Sequence, residues 1–127
     1  MTVWYPDEGF LLKAHELMLE GYGGYPGLRG GLPIFRAIME KVKQTEGIYR
    51  KAAVMLRRLR IANIFQDGNK RTAYIVTKTF LEMNGEAWRI PPEKTHRFII
   101  DLLRFSIDEI EEALKHGEVK ERSHEDR

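Results

Sequence analysis

A chain of 127 residues, 43% apolar and 31% charged with a net charge of +2, has room for one folded core and not two. It contains no cysteine, which excludes disulfides, thiolate nucleophiles and cysteine-ligated zinc and fits a reducing, cytoplasmic compartment. No apolar run approaches the roughly 18–20 residues of a membrane span, and "MTVWYPDEGF" lacks the basic-then-apolar order of a secretory signal.

The first predicted helix is "DEGFLLKAHELMLEGYGG", with Asp7 as its N-cap and Phe10, Ala14, Leu17 and Met18 on its inward face. It runs into "GYGGYPGLRGG", a glycine-rich loop whose backbone a partner can approach closely. Pro33 suits a first helical position, and a short helix from there reaches about Lys43. From Ile48 onward the apolar stripe is clear: Ile48, Ala52, Met55, Leu56, Leu59 and Ala62 share one face of a heavily packed helix. Asn63 continues that inward stripe at the helix's C-terminal end. After "QDGN" a further helix covers Asn69 to Met83, with Ala73, Val76, Phe80 and Met83 inward and Asn84-Gly85 as its stop. "EAWRIPPEK" is a connection, "HRFIIDLLRF" another helix, and "SIDEIEEALKHG" a last one with Ser106 and Glu109 at capping-box spacing and Gly117 as its end. The expected fold is all-α: a single-domain bundle of about six helices over residues 1–117, with a charged, disordered tail over 118–127.

Chemistry concentrates in "NIFQDGNKR", Asn63 to Arg71. Lys70 and Arg71 sit in the first turn of a helix, where the macrodipole disfavours a cation by about 0.3–1 kcal/mol each. An anion bound there offsets that cost, because the turn presents free amides and Gly68 permits close approach. Arg71 offers a planar fork to phosphate oxygens, Lys70 a point charge, and Asp67 a hard oxygen able to hold Mg²⁺ between phosphates. Asp-Gly is equally a common turn, and cations also occur at helix starts as solvated surface, so residue types alone leave both readings open.

The motif resembles that of the Fic/Doc superfamily, His-x-Phe-x-Asp-(Gly or Ala)-Asn-(Gly or Lys)-Arg, with Phe65, Asp67, Gly68, Asn69, Lys70 and Arg71 matching. Lys70 before Arg71 is the form of the Doc, or "death on curing", branch. That branch also has a histidine seven residues ahead of Tyr-Gly-Gly-x-Pro-Gly, carried here by His15, Tyr22, Gly23, Gly24, Pro26 and Gly27. "KTFLEMNG" is similar to the family's segment after the motif, and the likeness spans most of residues 8 to 115. It implies an all-α fold whose motif loop binds the phosphates of ATP with Mg²⁺. Asp67 would hold the metal, Gly68 and Asn69 would form a backbone anion nest, and Lys70 and Arg71 would grip phosphate. Fic members transfer AMP to a protein hydroxyl; Doc members transfer phosphate, to translation elongation factor Tu, and act as toxins restrained by an antitoxin. The segment from Tyr22 through Gly23, Gly24, Tyr25, Pro26 and Gly27 to Gly31 corresponds to the flap that positions an extended target peptide.

One position departs from the pattern. The family's leading histidine, its general base, is Asn63 here, and an amide cannot accept a proton near neutral pH. Losing a general base costs about 10²–10⁴ in rate. His15, the nearest substitute by pattern, falls on the core side of its helix and reads as a buried, satisfied histidine; His96, His116 and His124 read as surface. The inhibitory pattern Ser/Thr-x-x-x-Glu-(Gly/Asn) of some Fic proteins does not occur, so restraint would come from a separate antitoxin chain. The reading is therefore a Doc-like, ATP- and Mg²⁺-dependent phosphotransferase impaired at Asn63; the alternative is a catalytically inactive relative that binds nucleotide or antitoxin. "RRLR" at Arg57 to Arg60 raises a nucleic-acid reading, but its arginines fall opposite the apolar stripe and no aromatic residues interleave them.

Overall fold

The computed structural model describes residues 2–120 and is all-α. Six helices follow one another: α1 Glu8–Tyr22, α2 Leu32–Lys43, α3 Ile48–Ala62, α4 Asn69–Met83, α5 Pro92–Ile100 and α6 Ile107–His116, with a 3₁₀ turn at Leu102–Arg104 between the last two. The described residues contain no strand, only an isolated antiparallel bridge between Leu28 and Phe65. Of the tail, residues 121–127 lie outside the described part; before them Val119 packs against the core and Lys120 Nζ lies 3.7 Å from Glu109 Oε2.

Each helix end has a local chemical cause. Asp7 Oδ1 accepts from Phe10 N at 2.8 Å, the expected N-cap of α1. Ser106 and Glu109 close a reciprocal capping box at 3.1 and 2.9 Å, and Gly117 ends α6 in the left-handed region at φ 78°. Ser106→Ala is expected to lower unfolding free energy by about 1 kcal/mol, because it orphans the Glu109 amide; a urea titration measures it, and an unchanged midpoint refutes it.

α3 is the central helix, buried on almost every side over 51–56, and α2, α4 and α6 pack around it. Its apolar face meets Phe35, Val42, Phe80 and Leu114, all but sealed from solvent. Lys51 is buried too, and its Nζ donates to Val42 O and Lys43 O, both at 3.3 Å. It thereby serves the orphan carbonyls at the C-terminus of α2, where a cation is favoured by the dipole. Arg50 Nη1 reaches across to α6, donating to Asp108 at 2.7 Å and Glu111 at 3.0 Å. Those bonds, Asp108's first, hold its guanidinium above the usual arginine range.

Asn84, at the end of α4, straps down the N-terminal segment. Its Oδ1 accepts from Trp4 N at 2.9 Å while its Nδ2 donates to Trp4 O at 3.0 Å and Phe80 O at 2.8 Å.

Three expected inward positions face solvent instead. α1 buries Leu11, Ala14 and His15, and Leu17 is exposed, because its C-terminal half extends past the core towards the glycine-rich loop. Met83 is exposed in the last turn of α4, and Leu81 takes the buried place. Asn63 has left the α3 stripe altogether: it is exposed and left-handed, at φ 48° and ψ 54°.

Candidate functional site

Ile64, Phe65 and Gln66 form an extended three-residue segment whose two edges are satisfied in different ways. On one edge lies the glycine-rich loop: Gln66 N donates to Gly27 O at 3.0 Å, while Arg29 N and Gly30 N donate to Ile64 O at 2.7 and 3.0 Å. Backbone groups of an extended chain alternate sides, so Phe65 directs its own N–H and C=O the other way. There Asn69 takes both: its Oδ1 accepts from Phe65 N at 3.0 Å and its Nδ2 donates to Phe65 O at 2.7 Å. One asparagine side chain thus stands in for a neighbouring strand.

The polypeptide can enter this arrangement because two residues adopt positive φ. Asn63 ends α3 in the left-handed conformation, which among non-glycine residues Asn, Asp and His adopt most readily. Gly68, at φ 77° and ψ 14°, turns the chain into α4.

The start of α4 is open. Four amides at a helix N-terminus lack intrahelical acceptors. Here Gly68 N donates to Asp67 Oδ1 at 2.9 Å, and among the described residues the amides of Asn69, Lys70 and Arg71 have no acceptor, because no side chain caps the helix. Lys70 and Arg71 are both exposed, and neither is paired with an acidic side chain among the described residues. The Arg71 guanidinium instead lies 4.3 Å from the Tyr22 ring centroid, the contact that joins the end of α1 to the motif.

Asp67 is exposed, and its second carboxylate oxygen accepts from Tyr25 N at 3.4 Å. Gly24 passes so close that a Cβ there, at φ 124°, lies 2.9 Å from that oxygen. The loop's glycines therefore admit a neighbour from within the chain, the motif carboxylate itself. Among the described residues no three His, Asp or Glu side chains converge to cage a metal. A lone exposed carboxylate beside an open helix start fits Mg²⁺ shared with phosphate oxygens and water, the usual manner for that ion, and does not fit an all-protein metal cage.

Beneath the turn lies His15. It is 6% exposed, its ring stacks on Phe65 at 3.6 Å and 5°, and its Nε2 donates to Asp67 O at 2.8 Å. It is the buried, hydrogen-bonded histidine its helical position predicts. A small, partly open cavity of about 10 Å³, lined by Leu11, Leu59, Ile64, Phe65, Asn69, Thr72 and Ala73, adjoins the buried Thr72 hydroxyl, which lacks a partner. It has room for one water at most, so any phosphate would sit on the open outer face.

The predicted loop residues Tyr22, Gly23, Gly24, Tyr25, Pro26 and Gly27 are all exposed, Tyr25 at 80% and Tyr22 at 65%. The structure brings Tyr22, Gly24, Tyr25 and Gly27 against the motif; for Gly23 and Pro26 it gives no contact with it. Arg57 and Arg60 are half-buried with enclosed, unpartnered Nε atoms, so of the "RRLR" arginines only Arg58 is the solvated surface residue expected. Sequence reasoning missed the pairing of Asn69 with Phe65, for which the asparagine four residues along was the available signal, and the bond from His15 to Asp67, for which there was none. No helix among the described residues is long and apolar enough to cross a membrane. Compared with family models and with curated proteins, the chain matches none.

Proposed function

We propose that this protein is a Doc-like ATP- and Mg²⁺-binding protein that transfers phosphate, rather than AMP, to a hydroxyl of a target protein, at a rate limited by Asn63. The observation that carries the reading is the open start of α4: three free amides, flanked by Lys70 and Arg71 without acidic partners and by the Asp67 carboxylate. Separately, cations at a helix start are disfavoured and a lone carboxylate is unremarkable; together they match the charge pattern of a magnesium-bound polyphosphate. Backbone amides and Gly68 would seat the phosphates, Arg71 and Lys70 would neutralise them, and Asp67 would hold the cation. The glycine-rich loop from Tyr22, already paired along the motif, would present the target's peptide. By the Doc resemblance the target is elongation factor Tu, and a separate antitoxin chain restrains the protein.

A second reading has a specific observation behind it. His15 is committed to Asp67 O and Asn63 is an amide, so no imidazole stands free at the position of the family's histidine, as expected of a binding protein that keeps the nucleotide or antitoxin site without turnover.

Titration with ATP, with and without Mg²⁺, tests the site shared by both readings. Asp67→Ala is expected to abolish the magnesium dependence, and Arg71→Ala to weaken binding at least about tenfold, the worth of one charge-assisted hydrogen bond. Absence of magnesium-dependent binding in the unmodified chain overturns the transferase reading and the nucleotide-binding form of the second, leaving antitoxin binding alone.

A further inference from the structure

From the bond between His15 and Asp67 O we infer that His15 is a positioning residue for the anion site, aiming the Asp67 carboxylate and the Gly68 amide through the peptide plane between them. The inference rests on the phosphate-site reading above and adds a residue from α1 to it.

The carbonyl of Asp67 and the amide of Gly68 belong to one planar trans peptide, so the C=O and N–H bonds point to opposite sides of the chain. His15 Nε2 donates to that carbonyl at 2.8 Å from the buried side. The Gly68 N–H is thereby turned outward, where it donates to Asp67 Oδ1 at 2.9 Å. A single bond from below thus sets the direction of an amide and, through it, of a carboxylate. The arrangement needs this support, because glycine tolerates both signs of φ and an Asp-Gly peptide plane can flip at small cost. His15 itself cannot swing away: it is 6% exposed and lies flat on Phe65 at 3.6 Å, and Phe65 is tied to Asn69. The donor and its rotamer are both fixed before any ligand arrives. Such support beneath a site is what holds ligating groups within a few tenths of an ångström of their working geometry.

Two substitutions separate the donor from the bulk. His15→Phe keeps an aromatic ring against Phe65 and removes the N–H; His15→Gln keeps an N–H donor of similar reach and removes the ring. Inorganic tripolyphosphate with Mg²⁺ is the probe, titrated calorimetrically, with thermal midpoints of all three proteins measured alongside. His15→Phe is expected to bind about tenfold more weakly with its midpoint little changed, and His15→Gln to bind within about twofold of the unmodified chain, since one ordinary hydrogen bond is at stake. Nitrogen NMR of the unmodified protein is expected to show a slowly exchanging Nε2 proton. An Nδ1-protonated neutral ring overturns the inference even if His15→Phe fails to fold. Equal affinity of His15→Phe and the unmodified chain overturns it while leaving the phosphate site standing. Equal loss of affinity and midpoint in both variants marks a merely structural residue and overturns it. No binding by any of the three overturns the phosphate site and this inference together.

Discussion

Asn63→His is expected to raise transfer of label from ATP to a protein acceptor by about 10²–10⁴, the usual worth of a general base. The backbone accepts the change. Asn63 is exposed at φ 48° and ψ 54°, and histidine, like asparagine, is among the residues enriched in that region. The gain is therefore chemical rather than conformational, and the variant's thermal midpoint is expected to stay within a few degrees of the unmodified chain. Position 63 opens the motif one residue before the segment that pairs with the glycine-rich loop, so an imidazole introduced there adjoins the segment along which that loop runs. Incubation with ATP labelled at the γ-phosphate or at the α-phosphate, together with cell extract, measures both rate and group transferred. Label from the γ-position alone marks phosphate transfer and label from the α-position marks AMP transfer. Equal labelling by the two chains shows that position 63 carries no base; labelling by neither leaves the binding-protein reading. Some transfer by the unmodified chain is compatible with the proposal, because a loose phosphoryl-transfer transition state depends mainly on positioning and charge neutralisation.

The same residue shows where sequence reasoning stopped. Counting along α3 placed Asn63 on the buried stripe, because helical periodicity presumes that the helix continues. A left-handed terminus breaks the count at that residue, and nothing in the spacing of Ile48 to Ala62 announces it. Where an end carries its own chemistry the sequence was readable: Asp7 caps α1, Ser106 and Glu109 box α6, and Gly117 closes it. Those signals are local, satisfied within four residues, so no tertiary knowledge is needed. Leu17 and Met83 were misplaced for the opposite reason. Both are apolar at helical spacing, and whether such a residue is covered depends on how far the neighbouring helices extend. The motif's residue types were legible, as was the core side of His15. Its bond to Asp67 O was not, since it joins residues 52 apart in the chain and uses a main-chain atom that no residue type encodes.

Asn69→Ala is expected to lower unfolding free energy by about 2–6 kcal/mol, since it strips partners from both Phe65 N and Phe65 O and each such orphan costs about 1–3 kcal/mol. The loss is not confined to that pair. Phe65 is 3% exposed, carries the His15 ring and bridges to Leu28, so its segment holds the base of the site and one edge of the glycine-rich loop. Asn69→Asp is the sharper probe, because it preserves shape and the acceptor for Phe65 N while replacing the Nδ2 donor with an oxygen facing Phe65 O. Two effects oppose each other there. A carboxylate in the first turn of α4 gains about 0.3–1 kcal/mol from the helix dipole. Losing the bond to Phe65 O, with oxygen set against oxygen, costs about 1–3 kcal/mol, so net destabilisation is expected. The introduced charge also lies among the free amides at the start of α4, so polyphosphate affinity is expected to fall in Asn69→Asp further than stability alone accounts for. Urea unfolding and tripolyphosphate titration on both variants separate these quantities. If Asn69→Asp is as stable as the unmodified chain, the side chain is not serving as the missing strand edge. If it also binds polyphosphate undiminished, the anion does not sit at the start of α4.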